Sequence, residues 1–262
     1  MFLHSTICMG ITMSRSSKIS VAFGGLLIAA TWLYLVLVRP TDWESVGGST
    51  EALITLVGYV AGTIALLVGV LPTLPARTIA IIPVALVLNI LLGQVTGSFV
   101  IPLYLDAVGT VLVAALAGPS AGLATGALSS VVWALFNPLA LPFAAGSALT
   151  GWLTGVVIKK GAFKNIFATI ISGAVIGLIT GAVAAPVAAF VYGGTAGVGT
   201  GAVVSLFREM GNSLLASVTW QSFISDPLDK AIVMLIVFVV VKSLPKRTTR
   251  ALVPQRVPED VA

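Results

Sequence analysis

The feature that most constrains this chain is a row of eight long apolar runs, at residues 21–38, 52–71, 78–94, 101–117, 120–136, 139–158, 165–192 and 227–244. A hydrocarbon core of roughly 30 Å takes about 20 apolar residues per helix. At 262 residues the chain has room for about eight crossings with short connections and for no sizeable water-soluble domain. Composition agrees: 58% of residues are hydrophobic and 9% charged, at a mean hydropathy of +1.09, which leaves too little polar surface to coat a soluble core. The expected fold class is an all-α membrane protein. Its breaks fall at Pro72 with Pro75, Gly118-Pro119, Asn137-Pro138, Gly161 and Asp226-Pro227, where proline and glycine interrupt helices.

A net charge of +5 suggests nucleic acid until the charges are placed. With the N-terminus inside, Arg15, Lys18, Arg77, Lys159, Lys160, Lys164, Lys242, Lys246, Arg247, Arg250 and Arg256 fall on the cytoplasmic side, and only Arg39, Arg208 and Lys230 fall outside. That asymmetry follows the positive-inside rule for an even number of crossings with both termini cytoplasmic, and places the protein in the cell membrane. Asp42, Glu44, Glu51, Glu209, Asp226 and Asp229 all lie in outer connections or at outer helix ends; Asp106 alone lies within a span. Met9 and Met13 are both possible starts, and the run from Val21 reads as a retained signal anchor, because Val38-Arg39-Pro40 offers no small-residue cleavage site. The tail from Thr248 is polar and proline-bearing, and reads as a short disordered end.

Several functions lack their parts. His4 and Cys8 are the sole histidine and cysteine, so the membrane-embedded part has no histidine base, histidine metal site or structural disulfide. There is no Gly-x-x-x-x-Gly-Lys-Ser/Thr loop for ATP and no His-Glu-x-x-His for zinc. The chain reads as a non-enzymatic binder without a cofactor.

Small residues recur every fourth position at Gly118/Gly122/Gly126, Gly151/Gly155 and Gly173/Gly177/Gly181. Such ladders let neighbouring helices approach closely; ordinary packing and a sliding surface are both open readings. Pro186 predicts a kink in the longest run, residues 193–201 a flexible outer loop, and the apolar period from Val203 to Val218 an amphipathic helix or lid.

The binding candidates gather near the outer face. A carboxylate within a span, as expected for Asp106, normally faces the bundle interior and has a partner; a bond to Thr110 and contact with a ligand are equally open. Asn89 and Gln94 are further polar candidates, or simply glue between helices. Tyr104, Trp133 and Trp220, with Asn137 and Gln221 nearby, suit a planar heterocycle that stacks while its edge is hydrogen-bonded, although aromatic residues also collect at membrane boundaries. Asp226, Pro227 and Asp229 read as a helix start, with Lys230 paired to an acid at the outer boundary.

Leu103-Tyr104-Leu105-Asp106-Ala107-Val108-Gly109-Thr110 followed by Gly118-Pro119-Ser120-Ala121-Gly122 resembles the second and third helices of the substrate-binding S components of energy-coupling factor importers. Further phrases follow in the same order: Asn137 to Phe143, Ala185 to Gly194, Asp226 to Lys230, and Leu244 to Arg247. The resemblance covers residues 76–247 and implies a six-helix bundle that captures a vitamin or similar nutrient near the outer face. It divides the chain into an extension of two extra helices (residues 1–75), the substrate-binding domain (76–247) and a cytoplasmic tail (248–262). It also implies the partners: a transmembrane coupling subunit with ATP-binding-cassette ATPases, docked through small residues such as Ala76 and Ala80. The alternatives are a self-sufficient secondary transporter using Asp106 as a proton or cation site, and a membrane sensor.

Overall fold

The computed structural model describes residues 13–39, 49–194 and 197–245. His4, Cys8, Asp42, Glu44 and the tail from Thr248 lie outside the described residues, and so does the expectation attached to each. Among the described residues there is no strand, and nine α-helices follow in order: α1 Arg15–Val38, α2 Thr50–Val70, α3 Ala76–Gly97, α4 Val108–Ala117, α5 Pro119–Trp133, α6 Ala144–Lys159, α7 Ile166–Val191, α8 Val198–Glu209 and α9 Leu214–Ser243. Five stretches are long and apolar enough to cross a membrane: Arg15–Val38, Thr50–Thr73, Ala76–Gly97, Pro138–Lys159 and Ile166–Val191. The chain is thus an all-α protein of membrane character. Phe23, Leu26, Leu37 and Phe167 stand exposed on these helices, a display of apolar surface that water does not tolerate in bulk and lipid does.

Two elements differ from the sequence expectation. The run 101–117 is not one helix, because residues 98–107 are irregular and α4 has only ten residues. Pro102 interrupts the run, Leu105 takes a left-handed φ of 50°, and the backbone N–H groups of Tyr104 and Leu105 donate to Asp229 Oδ1 at 2.9 and 2.7 Å. A carboxylate from another helix thus satisfies donors that a helical turn would otherwise have engaged. Asp106 accordingly sits just before a helix instead of inside one.

The second difference is α9, which runs without a break through the expected helix start at Asp226-Pro227. Its cap is Ser213, whose hydroxyl accepts from Ala216 N at 3.3 Å. Pro227 removes one N–H from the helix ladder, a loss that packed neighbouring helices make tolerable in apolar surroundings. The expected helix over 203–218 is likewise two: α8 ends at Glu209, Gly211 turns the chain at φ 89°, and α9 begins at Leu214. Helix α7 continues through Pro186 as a single element.

The glycine ladders lie where two helices touch backbone to backbone. On α5, Gly122 faces the backbone of Gly151 on α6, and Gly126 faces Ser147. A Cβ built on Gly155 would lie 2.5 Å from Pro119 Cα. On α7, Gly173, Gly177 and Gly181 meet α9 at Lys230-Ala231, Asp226-Pro227 and the Asp226 carboxylate; a Cβ at Gly173 would lie 2.6 Å from the Lys230 carbonyl oxygen. Such approaches gain the dispersion contacts that replace hydrophobic drive between helices in lipid.

The hairpin α1–α2 is closed in the same way, with a Gly24 Cβ falling 2.7 Å from Gly62 O. It packs onto the remaining helices. The Trp32 indole donates to Val183 O at 3.1 Å, the buried Tyr59 hydroxyl donates to Pro142 O at 3.4 Å, and the Arg39 guanidinium lies 3.8 Å over the Phe190 ring. One apolar cluster runs from Ile28 and Leu66 through Ala124 and Ala148 to Val187.

These contacts predict that Gly122→Val will destabilise the fold by about 1–3 kcal/mol through overpacking at α6. Gly25→Ala, where a Cβ meets nothing within 4 Å, will leave stability unchanged or raise it by at most about 1 kcal/mol. Unfolding of the purified protein by SDS in mixed micelles measures both.

Candidate ligand cavity

The end of the bundle where α3, α5 and α7 finish and α4 and α6 begin holds a cavity of about 380 Å³. That size lies within the range of small-molecule sites. Three local constructions shape it.

The first is a polar clasp around Asn89, which is fully buried on α3. Gly109, at the start of α4, lies against the α3 backbone, where a Cβ would come 2.6 Å from Ala85 Cα. That closeness lets Asn89 Oδ1 accept from Gly109 N at 2.7 Å and Asn89 Nδ2 donate to Thr110 Oγ1 at 2.8 Å and Ser129 Oγ at 3.1 Å. Asn89 therefore caps α4 from a neighbouring helix and ties α3, α4 and α5 together. It does not line the cavity; Thr110 and Ser129 do.

The second is an aromatic wall. Gly93 on α3 has no side chain to hold Trp133 away: a Cβ there would lie 2.9 Å from Trp133 Cζ3 and 3.1 Å from Asp106 Cβ. The Trp133 ring thus lies beside Asp106. Phe143 and Tyr192, which also line the cavity, stack with ring centroids 5.5 Å apart, and the Tyr192 hydroxyl donates to Leu139 O at 2.8 Å. The Tyr104 side chain lies near Thr200 on α8 and Gln221 on α9, and Gly199 brings the α8 backbone down on Ile101. Helix α8 thereby packs over the segment that carries Tyr104.

The third is a charge cluster. Ser222, Asp226 and Lys230, at i, i+4 and i+8, form one face of α9 and all line the cavity. Lys230 Nζ lies 2.5 Å from Asp229 Oδ2 and 3.2 Å from Asp106 Oδ1. The lysine and Asp229 are buried, at 9% and 0% side-chain exposure, while Asp106 keeps 30%. Asp229 uses its other oxygen on Tyr104 N and Leu105 N, so a single side chain links the lysine to the irregular segment. Asp226 Oδ2 is buried with no hydrogen-bond partner, and Trp133 Nε1 is likewise a buried donor without an acceptor.

Of the residues singled out from sequence, Gln94, Tyr104, Asp106, Trp133 and Asn137 line this one cavity. Asn137 also caps the following turn by accepting from Leu139 N at 3.2 Å. Gln221 lies behind the wall, against Tyr104, and Trp220, one position earlier on α9, is outside the cavity and largely exposed. Thr110 hydrogen-bonds to Asn89, and Asp106 is held by Lys230, so the structure contains no Asp106–Thr110 bond among the described residues. Ala76 and Ala80 are both exposed on α3.

Sequence reasoning missed Asp226, Lys230 and the α7 face of Thr180, Ala184 and Ala188. Three ionisable residues within five positions of an otherwise apolar helix were a usable signal for the first two. Neither a protein-family model, a curated protein nor a solved structure matches this chain.

Removing one partner from a buried ion pair leaves the other uncompensated, at a cost of about 3–5 kcal/mol. Lys230→Met and Asp229→Asn are therefore expected to destabilise the protein on that scale. Asp106→Asn should cost clearly less, because its carboxylate is partly solvated. The order of SDS-unfolding midpoints checks this; equal midpoints for all three variants contradict it.

Proposed function

We propose that this chain is a membrane-embedded capture protein that binds a small water-soluble nutrient at the outer end of its helical bundle, and that it serves as the substrate-binding subunit of an energy-coupling factor importer. The observation that carries the binding reading is the cavity itself. It combines an aromatic wall with unpaired polar atoms at Trp133 and Asp226, the mixture of flat apolar surface and a few placed polar groups that small-molecule sites use.

The proposed topology has eight crossings with both termini cytoplasmic. It puts Arg15, Lys18, Arg77, Lys159, Lys160, Lys164 and Lys242 on the inner side and the cavity on the outer, in accord with the positive-inside rule. In this arrangement α4 with the irregular segment before it, α5 and α9 complete the set of spans.

The sequence carries no phosphate-binding loop, so transport needs an external energy source, and the resemblance of residues 76–247 to S components supplies one: a coupling subunit with two ATPases. Ala76 and Ala80 offer small, exposed side chains on α3 for that contact. The ion-coupled alternative asks Asp106 to take up and release a proton or cation. One of its oxygens is bonded to Lys230, which makes that reading the weaker one.

Mass spectrometry of small molecules released from the purified protein identifies the cargo. The reading expects a saturable water-soluble ligand at one per chain, with affinity reduced at least tenfold when Asp106, Trp133 and Asn137 are together replaced by alanine. Binding unaffected by that triple variant would place the site elsewhere. Gradient-driven uptake by the protein alone in ATPase-free vesicles would overturn the importer-subunit assignment.

A further inference from the structure

We propose that the cavity is built for an organic cation: a flat-ringed small molecule whose positive charge sits against Asp226 and whose hydrogen-bond acceptor faces Trp133. This rests on the reading of the cavity as a ligand site and adds the chemical class of the ligand.

The argument begins with a count of charges. Among the described residues three carboxylates, Asp106, Asp226 and Asp229, cluster around one cation, Lys230, and that cluster has a formal balance of −2. Lys230 gives its hydrogen bonds to Asp229 and Asp106, and Asp229 is completed by two backbone N–H groups. The lysine is thus committed, and Asp229 is satisfied on both oxygens.

Asp226 is different. It is 6% exposed and lines the cavity beside Ser222, and its Oδ2 has no hydrogen-bond partner. That oxygen packs against Gly181 on α7, where a Cβ would lie 2.7 Å from it. An unpaired buried carboxylate is costly, and a cation supplied by the ligand removes the cost while gaining a charge-assisted hydrogen bond. Asp106, partly exposed and only singly bonded to Lys230, adds a second negative group facing the same space.

The other groups narrow the shape. Trp133 presents its ring beside Asp106 and an indole N–H in want of an acceptor, and the Phe143–Tyr192 stack also lines the cavity. Aromatic faces attract both flat rings and cations. An anionic ligand would meet Asp226 and Asp106, and among the described lining residues the single cation, Lys230, is already paired with two carboxylates.

The test uses the full chain in nanodiscs and three matched probes: a pyridine ring carrying an aminomethyl, a hydroxymethyl or a carboxylate group at the same ring position. Saturable binding is followed by titration calorimetry at up to millimolar probe. The aminomethyl cation is expected to bind about tenfold or more tighter than the hydroxymethyl compound, the scale of a charge-assisted contact in a desolvated site, and the carboxylate weakest. Asp226→Asn should erase that preference, so that the aminomethyl probe binds no tighter than the hydroxymethyl compound to the same variant, and Asp226→Glu should keep it. Neutral or anionic probes that bind as well as the cation would overturn the inference and leave the cavity reading standing. Failure of every probe to bind would overturn the cavity reading and the inference with it. Should Asp226→Asn not fold, the ranking of the three probes on the unaltered protein decides by itself.

Discussion

The arrangement of this end of the molecule depends on a lysine held in apolar surroundings. A buried ammonium group is tolerable only when charge partners and hydrogen bonds surround it. Lys230 obtains both from Asp229, one residue earlier on its own helix, and from Asp106, which approaches from a different part of the chain. Asp229 in turn grips the backbone at Tyr104 and Leu105. The ion pair is therefore a fastening between α9 and the segment leading into α4, and it accounts for the departure of that segment from helical form. The irregular stretch brings Tyr104 to the cavity wall and Asp106 to its rim.

Close packing elsewhere serves the same end. Where the ladders of α5–α6 and α7–α9 bring backbones together, the glycines leave no side chain between the helices at those positions. Thr180 and Ser147 lie on helices that carry such ladders, and both reach the cavity. Gly93 does the converse job on α3: its missing side chain admits the Trp133 ring. The N-terminal hairpin α1–α2 is joined to this body through Trp32, Tyr59 and Arg39.

Much of the architecture was legible in the sequence because apolar length and glycine spacing act locally. The long runs became helices, and the ladders found partners. The errors came where a distant residue changed the local outcome. Asp226-Pro227 has every local mark of a helix start, yet α7 offers Gly177 at the right height for the helix to continue past the proline. Residues 101–107 are apolar enough for a span, yet Asp229, more than a hundred positions away, takes their N–H groups. The same reasoning explains the site. Gln94, Tyr104, Asp106, Trp133 and Asn137 could be gathered from the topology of alternating crossings, since all fall at one end. Trp220 was misplaced because a step of one residue on a helix turns a side chain through about 100°, and Gln221 took the inward position instead. Asp226 was read as part of a helix start and Lys230 as its paired neighbour, because their shared face toward the cavity exists only once α9 is continuous.

On the proposed reading the bundle binds through stacked rings and an unbalanced cluster of charge at one end, and the basic residues at its other end set its orientation in the membrane. Accessibility and charge in the cavity are the core of that account, and both can be read in one labelling experiment. Ser147 lines the cavity and differs from cysteine by one atom, and Cys8 is the chain's sole natural cysteine. In a Cys8→Ser background, Ser147→Cys in intact cells should react from the outside with membrane-impermeant methanethiosulfonates, and faster with the trimethylammonium reagent than with the sulfonate. Labelling confined to inside-out vesicles, or a faster reaction with the anionic reagent, would contradict it.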